Sequence, residues 1–214
     1  MKNNTFIKLK PKNDNQRLYL HSLQTNKITF CERPSGVGKT FLATLKGIEE
    51  LLNNKYHKLI ISRPLVQSGE NSGFIPGDIN DKLDPYLRPI YDILEYTFSY
   101  NDLNKLKEQK QIEVIPFGYM RGRNFRDSFI ILDEVQNCSY NQLVLALTRF
   151  AENSKMVLTG DAAQSDLPIT VQGGFSKIMS KLHDTKSIGI VKLTLEDIVR
   201  EPIVKTILEK LNET

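Results

Sequence analysis

The sequence predicts a doubly wound α/β fold with a mainly parallel sheet. Short apolar runs alternate along the chain with segments of helical period, and three of these runs are followed by glycine or carboxylate residues. Buried parallel strands are continuous apolar runs joined by crossover helices, so the alternation favours helices on both faces of one sheet. In such sheets, ligands bind at the carboxyl ends of the strands.

Composition limits the class of protein. The chain has 214 residues, 40% of them hydrophobic, so we expect one domain over 13–214 after a basic, flexible segment at 1–12. Two cysteines and three histidines lack the spacings of disulfide or zinc sites. No apolar run has the length of a membrane span or signal-peptide core, so the expected location is the cytoplasm, without a membrane partner.

The first half of the chain contains two predicted helices and two predicted strands. A short helix over 13–23 precedes a strand at 28–31, and a second strand is expected at 58–62. Between the strands, apolar residues spaced by four, three and four predict one inner helix face, consisting of Phe41, Leu45, Ile48 and Leu52. The charged residues of the same helix are expected to face solvent: Lys46, Glu49 and Glu50.

Residues 63–84 lack periodicity and contain several glycines and prolines, so we expect an irregular functional segment there. Pro85 is expected to begin a helix whose inner face is Leu87, Ile90 or Tyr91, Leu94 and Phe98. The remaining predicted elements are a helix at 103–110, a strand at 112–115, an arginine-rich loop at 117–126, a strand at 129–132, a helix at 143–150, a strand at 156–158, a helix at 175–182, a strand at 188–193 and a helix at 202–211.

A phosphate-binding loop follows the first strand, with the sequence Arg33-Pro34-Ser35-Gly36-Val37-Gly38-Lys39-Thr40. Glycines let successive backbone N–H groups surround a polyphosphate, the lysine reaches its terminal phosphates, and the hydroxyl binds Mg²⁺. The usual pattern has a further glycine where this chain has Arg33. The loop predicts a polyphosphate ligand and Mg²⁺.

Arg33 is expected to reduce nucleotide affinity or hydrolysis while leaving the sheet intact. A β-carbon restricts the backbone there, and the following Pro34 favours an extended conformation. The guanidinium could lie over the triphosphate as an additional cation or point to solvent, and the sequence leaves both orientations open.

Two further strand ends supply carboxylates. Asp133 and Glu134 follow the strand at 129–132, where Asp133 would join Thr40 in binding Mg²⁺ and Glu134 would polarise the attacking water. After the strand at 156–158, a polar turn from Gly160 to Gln164 is suited to sensing the terminal phosphate. Each motif alone has a structural explanation, such as a turn or helix cap, but their order along the chain favours a nucleotide site.

The chain resembles the PhoH family of ATPases from about Gln16 to Val204. The similarity is carried by Arg63-Pro64, Gly73-Phe74-Ile75-Pro76-Gly77-Asp78, Asp84-Pro85-Tyr86-Leu87-Arg88-Pro89, Tyr119-Met120-Arg121-Gly122-Arg123, Phe129-Ile130-Ile131-Leu132-Asp133-Glu134-Val135-Gln136-Asn137, Leu147-Thr148-Arg149, Ser154-Lys155-Met156 and Gly160-Asp161 with Gln164. The resemblance implies a RecA-like P-loop NTPase core related to superfamily 1 helicases, often assembled as a homo-oligomeric, hexameric ring. The chain length fits a minimal version such as those of bacterial viruses.

The resemblance also implies roles for individual residues. Gln16 would recognise adenine, and Gln136 and Gln164 would sense the γ-phosphate. Arg200 resembles the family's arginine finger, in cis or from a neighbouring subunit. Arg121 and Arg123 are alternative candidates, but each could instead pair with a local acid or backbone carbonyl.

The expected site residues fall into three groups. The expected catalytic residues are Lys39, Asp133, Glu134, Gln164 and Arg200. The expected nucleotide-binding residues are Gln16, Arg33, Pro34, Ser35, Gly36, Val37, Gly38, Lys39, Thr40, Phe41 and Gln136. The expected metal ligands are Thr40 and Asp133.

Three functions are compatible with these motifs. The first is an ATPase that couples hydrolysis to movement or unwinding of single-stranded RNA or DNA, a partner suggested mainly by the resemblance and by the basic residues before Leu18. The second is a weakly hydrolysing ring subunit that acts as a switch or scaffold, which the arginine in the loop favours. The third, a small-molecule kinase, explains neither Gln136 nor the turn that ends at Gln164.

Overall fold

The structure, a computed structural model, describes residues 9–32, 36–65, 79–198, 203 and 210, with the backbone alone at 79–84 and 195. The strands are β1 (Ile28–Glu32), β2 (Lys58–Arg63), β3 (Ile112–Pro116), β4 (Ser128–Leu132), β5 (Lys155–Gly160) and β6 (Ile188–Lys192). The helices are α1 (Asp14–Thr25), α2 (Lys39–Leu52), α3 (Ile79–Thr97), α4 (Tyr100–Glu108), α5 (Tyr140–Leu147) and α6 (Gly174–Leu182).

The six strands form one sheet in the order β3-β2-β4-β5-β1-β6, and every pairing in it is parallel. The chain starts in the interior of the sheet at β1, crosses to β2 and β3 near one side, and returns through β4 and β5 to β6 on the other. The predicted doubly wound, parallel α/β fold is therefore confirmed.

Each face of the sheet is covered by its own apolar layer. Along β4, Phe129 and Ile131 pack with helices α1 to α4, whereas Ile130 and Leu132 pack with α5 and α6. Adjacent side chains of a strand point to opposite faces, so a strand buried on both sides is apolar at every position. This packing explains why the continuous apolar run at 129–132 correctly predicted a buried strand.

Helix α3 differs from its prediction, because it begins at Ile79 and contains both Pro85 and Pro89. The expected irregular segment therefore does not extend to residue 84, and its residues 66–78 lie outside the described ranges. A proline lacks one N–H and crowds the preceding turn, but the rest of a helix can continue when its apolar face packs. Leu87, Ile90 and Leu94 provide that face and are all buried.

Helix α2 is buried more widely than predicted. Leu45 and Ile48 lie inside as expected, but Phe41 and Leu52 are 38% and 39% exposed at the two ends of the helix. The predicted solvent positions Lys46 and Glu50 are instead buried, at 7% and 5% exposure. The helix contacts α1, α3 and the sheet, so a single apolar stripe does not describe its environment.

Helix α5 begins three residues before its predicted start and ends at Leu147. Ser139 accepts a hydrogen bond from the backbone of Gln142, whose side chain accepts one from the backbone of Ser139. This capping box satisfies backbone donors at the start of the helix, and its Ser-x-x-Gln spacing is visible in the sequence. The cap therefore explains the difference in position.

The two ends of the chain lie mostly outside the described residues. Leu9 packs against the core formed by α1 to α4. Most of the segment predicted to be flexible, residues 1–8 of 1–12, lies outside the described ranges. Of the predicted helix at 202–211, only residues 203 and 210 are described, and both are helical. No helix in the described ranges combines the length and apolar character needed to cross a bilayer.

Candidate functional site

The candidate site lies at the carboxyl edge of the sheet. Because all strands are parallel, the ends of β1, β5, β4 and β2 lie side by side in that order at the same edge. The phosphate-binding loop follows β1, Asp133 follows β4, and Asp161 follows β5. The fold therefore brings together three motifs that are far apart in the sequence.

The described part of the loop has the backbone geometry that its glycines allow. Gly36 and Gly38 have φ angles of 88° and 84°, in the left-handed region that side chains rarely occupy. Gly38 caps helix α2, which begins at Lys39, and the N–H of Leu42 donates to the carbonyl of Gly38 at 2.9 Å. The amino terminus of α2 thus follows directly from the loop, an arrangement suited to a phosphate group.

Helix α1 supports the loop through a buried amide. Gln16 is 2% exposed, and its Nε2 donates to the carbonyl of Val37 at 3.1 Å. Its Oε1 accepts a hydrogen bond from the backbone of Lys12 at 2.8 Å. The residue expected to recognise adenine therefore lies next to the loop, and both ends of its amide are hydrogen-bonded to the backbone, one of them to the loop.

Two neutral groups lie beneath the loop. Burial raises the pKa of the Cys31 thiol to about 12, although the nearby Lys39 ammonium acts in the opposite direction. Burial likewise raises the pKa of Tyr19 well above its usual range, and the Tyr19 hydroxyl lies 3.5 Å from the carbonyl of Lys39. Both groups are therefore uncharged at neutral pH and add no charge that would compete with a phosphate.

Asp133 is the carboxylate closest to the loop hydroxyl. Its Oδ1 accepts hydrogen bonds from Thr40 Oγ1 at 2.6 Å and from Thr159 Oγ1 at 2.7 Å. The side chain is 4% exposed, and the backbone N–H of Asp133 donates to the carbonyl of Ser62 at 2.8 Å. The two predicted metal ligands, Thr40 and Asp133, are thus in direct contact.

Glu134 adopts the left-handed backbone conformation, with φ at 54°. A non-glycine residue there is uncommon and is often retained at functional sites. Its Oε2 accepts a hydrogen bond from Gln136 Nε2 at 2.6 Å, and Gln136 Oε1 accepts one from the backbone of Asp161 at 3.0 Å. Gln136 therefore connects the predicted water-polarising carboxylate to the turn after β5.

Arg63 lies at the end of β2 and faces both carboxylates. Its guanidinium is 3.8 Å from Asp133 Oδ2 and 3.5 Å from Glu134 Oε1. The Arg63 side chain is 24% exposed. The sequence resemblance included this residue without giving it a role.

The remaining predicted site residues are less closely involved. Phe41 is on the exposed side of α2, where its ring lies 6.1 Å from that of Tyr96. Gln164 is exposed, and its backbone N–H donates to the carbonyl of Asp161 at 3.0 Å. The other predicted residues lie outside the described ranges: Arg33, Pro34, Ser35 and Arg200.

Of the two alternative arginine-finger candidates, Arg123 has local partners. Its guanidinium is 2.7 Å from Glu113 Oε2 and lies over the Phe125 ring, 4.8 Å from the centroid. This is the local pairing that the sequence left open for Arg123. Arg121 is exposed on the turn before it.

Thr159 and Tyr19 contribute to the site but were not predicted. Thr159 immediately precedes the glycine of the Gly160-Asp161 motif, so its position at the end of β5 could have indicated that its hydroxyl lies near the site. Tyr19 is completely buried within α1, and nothing in its local sequence indicated a contact with the loop backbone.

A groove opens at the same edge, beside the carboxylates. It has a volume of about 410 Å³ and is lined by residues that follow four neighbouring strands, with Leu167 after β5 among them. The lining includes Pro64 and Leu65 after β2, Phe117 and Gly118 after β3, and Asn137 and Gln142 after β4. We call it the carboxyl-edge groove.

The residues present fit a magnesium nucleotide. Thr40 and Asp133 offer hard oxygen ligands within hydrogen-bond distance of each other, and Mg²⁺ usually takes only one or two protein ligands besides phosphate and water. Among the described residues, no group of three or more His, Cys, Asp or Glu side chains forms a separate metal site. The donor set therefore suits a metal that arrives with a nucleotide.

Comparison with a known structure supports the fold. The chain aligns over 90% of its length with 47% of the large terminase from a thermophilic bacteriophage, with a TM-score of 0.57 and 11% sequence identity. At this level of identity, the likeness concerns the fold alone.

Comparison with known sequences gives the family. A family model described as PhoH-like protein matches residues 8–212. The chain is 43% identical over 194 residues to a PhoH-like protein of Synechocystis and 41% identical over 194 residues to one of Bacillus subtilis, covering 91% of this chain in each case. It spans 59% and 61% of those two relatives. The chain therefore belongs to the PhoH-like protein family.

Proposed function

We propose that the chain is a Mg²⁺-dependent ATPase whose reaction takes place at the carboxyl edge of the sheet. The observation that carries the proposal is the 2.6 Å contact between Thr40 and Asp133, with Glu134 next in the chain. A loop hydroxyl and a strand-end carboxylate in contact form the protein part of a magnesium nucleotide site. Membership of the PhoH-like family supports the same assignment.

The chain's own residues divide the work of phosphoryl transfer. The loop N–H groups and Lys39 would bind and orient the phosphates, and Thr40 and Asp133 would hold Mg²⁺, which would supply neutralising charge to the phosphate oxygens. Glu134 orients the attacking water and accepts its proton. Gln136 would sense the terminal phosphate, and its hydrogen bond to Glu134 would transmit the presence of that phosphate to the carboxylate.

A cation is still needed for the charge that develops in the transition state. We assign this role to Arg200 of a neighbouring subunit in a homo-oligomeric, hexameric ring. The resemblance of residues 197–200 to the family pattern supports the choice, as does the engagement of Arg123 with Glu113.

The proposed partner is single-stranded RNA, with single-stranded DNA as the alternative substrate. The carboxyl-edge groove offers apolar surface at Leu65, which is 43% exposed, and an exposed amide side chain at Gln142. Tyr119, next to the groove-lining Gly118 in the chain, is 54% exposed and can stack on a base. Arg121 adds an exposed cation for the phosphate backbone.

The test measures ATP turnover with and without poly(U) at fixed salt, using Glu134→Gln as the blank. We expect poly(U) to raise turnover by about fivefold, and to do so less as salt increases because phosphate contacts release counterions. Replacing Tyr119 by Ala should reduce this stimulation, because a stacking surface is lost. Tyr100→Ala, which removes a tyrosine that is 78% exposed on α4, is the matched control. Unchanged turnover in poly(U) would refute the nucleic-acid part of the proposal.

A second candidate function is a weakly hydrolysing switch or scaffold. The observation in its favour is that both carboxylate oxygens of Glu134 already face partners, Arg63 and Gln136. In that case ATP should bind tightly, but turnover should stay at the level of Glu134→Gln with or without poly(U).

A further inference from the structure

Arg63 connects the candidate carboxylates with the strand that precedes the carboxyl-edge groove. It faces Asp133 Oδ2 at 3.8 Å and Glu134 Oε1 at 3.5 Å. Opposite charges at such distances attract strongly where water is partly excluded, and the Asp133 side chain is only 4% exposed. The guanidinium therefore supplies positive charge to the oxygen of Asp133 that neither threonine contacts.

Arg63 and Gln136 together hold the carboxylate of Glu134 in place. Gln136 donates to Oε2 at 2.6 Å while Arg63 faces Oε1 at 3.5 Å, so both oxygens are held by groups of the chain itself. A water molecule that is to be polarised needs access to one of these oxygens. The Glu134 side chain is 36% exposed and each of its oxygens can accept a second hydrogen bond, so water can reach it, but the Arg63 charge makes Oε1 a weaker acceptor.

Both partners of Glu134 are adjacent in sequence to residues that line the groove. Arg63 precedes Pro64 and Leu65, and Gln136 precedes Asn137. The carbonyl of Gln136 also accepts a hydrogen bond from Ser165 Oγ at 3.0 Å, which ties this segment to the loop after β5. A ligand that displaces the groove lining therefore acts on the two contacts that hold the carboxylate.

We propose that Arg63 is a positioning residue that holds Glu134 and neutralises Asp133 until a single strand of nucleic acid enters the carboxyl-edge groove. Entry of the strand moves Arg63 away, which removes its positive charge from Glu134 Oε1 and Asp133 Oδ2, so Glu134 would polarise a water more strongly and Asp133 would hold Mg²⁺ more tightly. Arg63 itself touches no reacting atom and acts through the two carboxylates. This inference rests on the function proposed above.

The test uses a fluorescent, non-hydrolysable ATP analogue, mant-AMPPNP, and measures the Mg²⁺ concentration that gives half-maximal binding. We expect Arg63→Gln to lower this concentration by about threefold, because the guanidinium no longer competes for Asp133. Poly(U) should lower it in the wild type by a similar factor and should have no further effect on Arg63→Gln. Poly(dT) in place of poly(U) distinguishes RNA from DNA as the effective strand.

Turnover provides the second readout. Without poly(U), Arg63→Gln should raise kcat for ATP by about threefold and change KM by less than about twofold, since Glu134 no longer faces the Arg63 charge while the phosphate contacts remain. Arg63→Lys keeps the charge and should keep part of the response to poly(U). The matched control is Arg88→Gln, which removes an arginine that bridges two carboxylates on the surface of α3, Asp92 and Glu95.

The outcomes separate this inference from the function on which it rests. If Arg63→Gln behaves like Arg88→Gln in both readouts, or if poly(U) leaves the wild-type Mg²⁺ requirement unchanged, Arg63 has no such role. A wild type without Glu134-dependent turnover refutes the ATPase, while the Mg²⁺ requirement still decides the role of Arg63. A chain that binds no analogue refutes both.

Discussion

At the scale of single residues, Gly160 leaves space that the side chain of Gln136 fills. A Cβ at position 160 would lie 2.9 Å from Gln136 Oε1 and 3.0 Å from the Phe175 ring. Gln136 holds Glu134 on one side and the backbone of Asp161 on the other. The glycine of this turn is therefore needed for the position of the amide.

Replacing Gly160 by Ala should lower ATP turnover by about tenfold while changing nucleotide affinity much less, because the displaced Gln136 disturbs Glu134 and not the loop. Steady-state kinetics and mant-nucleotide binding measure the two effects. Gly47→Ala, which would bring a Cβ within 2.6 Å of Leu59 Cδ1 in the core, controls for a loss of stability without a contact to the site. Equal loss of activity in both variants would contradict a specific role of Gly160.

The arginine in the phosphate-binding loop leads to a second prediction at this scale. Arg33→Gly restores the usual loop glycine and should raise nucleotide affinity or turnover, because a glycine removes the steric limit of the β-carbon. The free energy of unfolding should change little. Nucleotide titration and turnover of the two proteins measure the effect, and equal values in both would contradict it.

At the scale of elements, an ion-pair cluster centred on the buried Glu50 connects helix α2 with Lys55 beyond its end. Lys46 Nζ contacts Glu50 Oε1 at 2.9 Å and Glu49 Oε2 at 2.5 Å, and Lys55 Nζ contacts Glu50 Oε2 at 2.7 Å. Burial alone would raise the pKa of Glu50, but hydrogen bonds from Lys46 and Lys55 outweigh it and hold this pKa below its ordinary value of 4.5. Glu50 therefore stabilises the fold in its charged form.

Glu50→Gln should lower the free energy of unfolding by about 2 kcal/mol at pH 7, because the buried Lys46 ammonium keeps only the partly exposed Glu49 as counter-charge and Lys55 loses its partner. Glu49→Gln, with the same charge change on a side chain that is 39% exposed, should cost less. Below about pH 4.5 the unfolded chain protonates Glu50 first, so the difference between wild type and Glu50→Gln should shrink as the pH falls. Denaturant titrations at pH 7 and pH 4 measure it, and a pH-independent difference would count against the ion pairs.

An element could be predicted from the sequence where a single physical requirement determined its residues. Ile130 and its neighbours formed an apolar run that only a strand buried on both faces explains. The sequence was misleading where packing overrode local signals. Pro85 was interpreted as the start of a helix, although the helix passes through it, and Glu50 was interpreted as exposed because its pairing with Lys55 is not visible in a helical pattern.

The same distinction applies to the candidate site. The contact between Thr40 and Asp133 followed from two motifs and the geometry of a parallel sheet, although 93 residues separate them. The contact of Arg63 with the carboxylates could not be predicted, because it depends on β2 lying next to β4, which no local pattern encodes. Strand order was therefore the missing information.

At the scale of the whole molecule, the proposed ring assigns Arg200 to the site of the neighbouring subunit. Arg200→Ala and Glu134→Gln should each be nearly inactive alone. When the two variants are coexpressed in equal amounts, about a quarter of the interfaces would combine an intact Glu134 with an intact neighbouring Arg200, so turnover should return to about a quarter of the wild-type value. Turnover no higher than that of the separate variants would contradict an arginine supplied by the neighbour.

The central claim is that the paired carboxylates at the end of β4 form an ATPase site, and Glu134→Gln tests it most directly. Nucleotide affinity and Mg²⁺-dependent ATP turnover are measured on the same preparations of wild type and variant. We predict that affinity stays within about threefold, whereas kcat falls by at least about 100-fold because the attacking water is no longer polarised. A variant that hydrolyses ATP at the wild-type rate would contradict the assignment of this edge as the catalytic site.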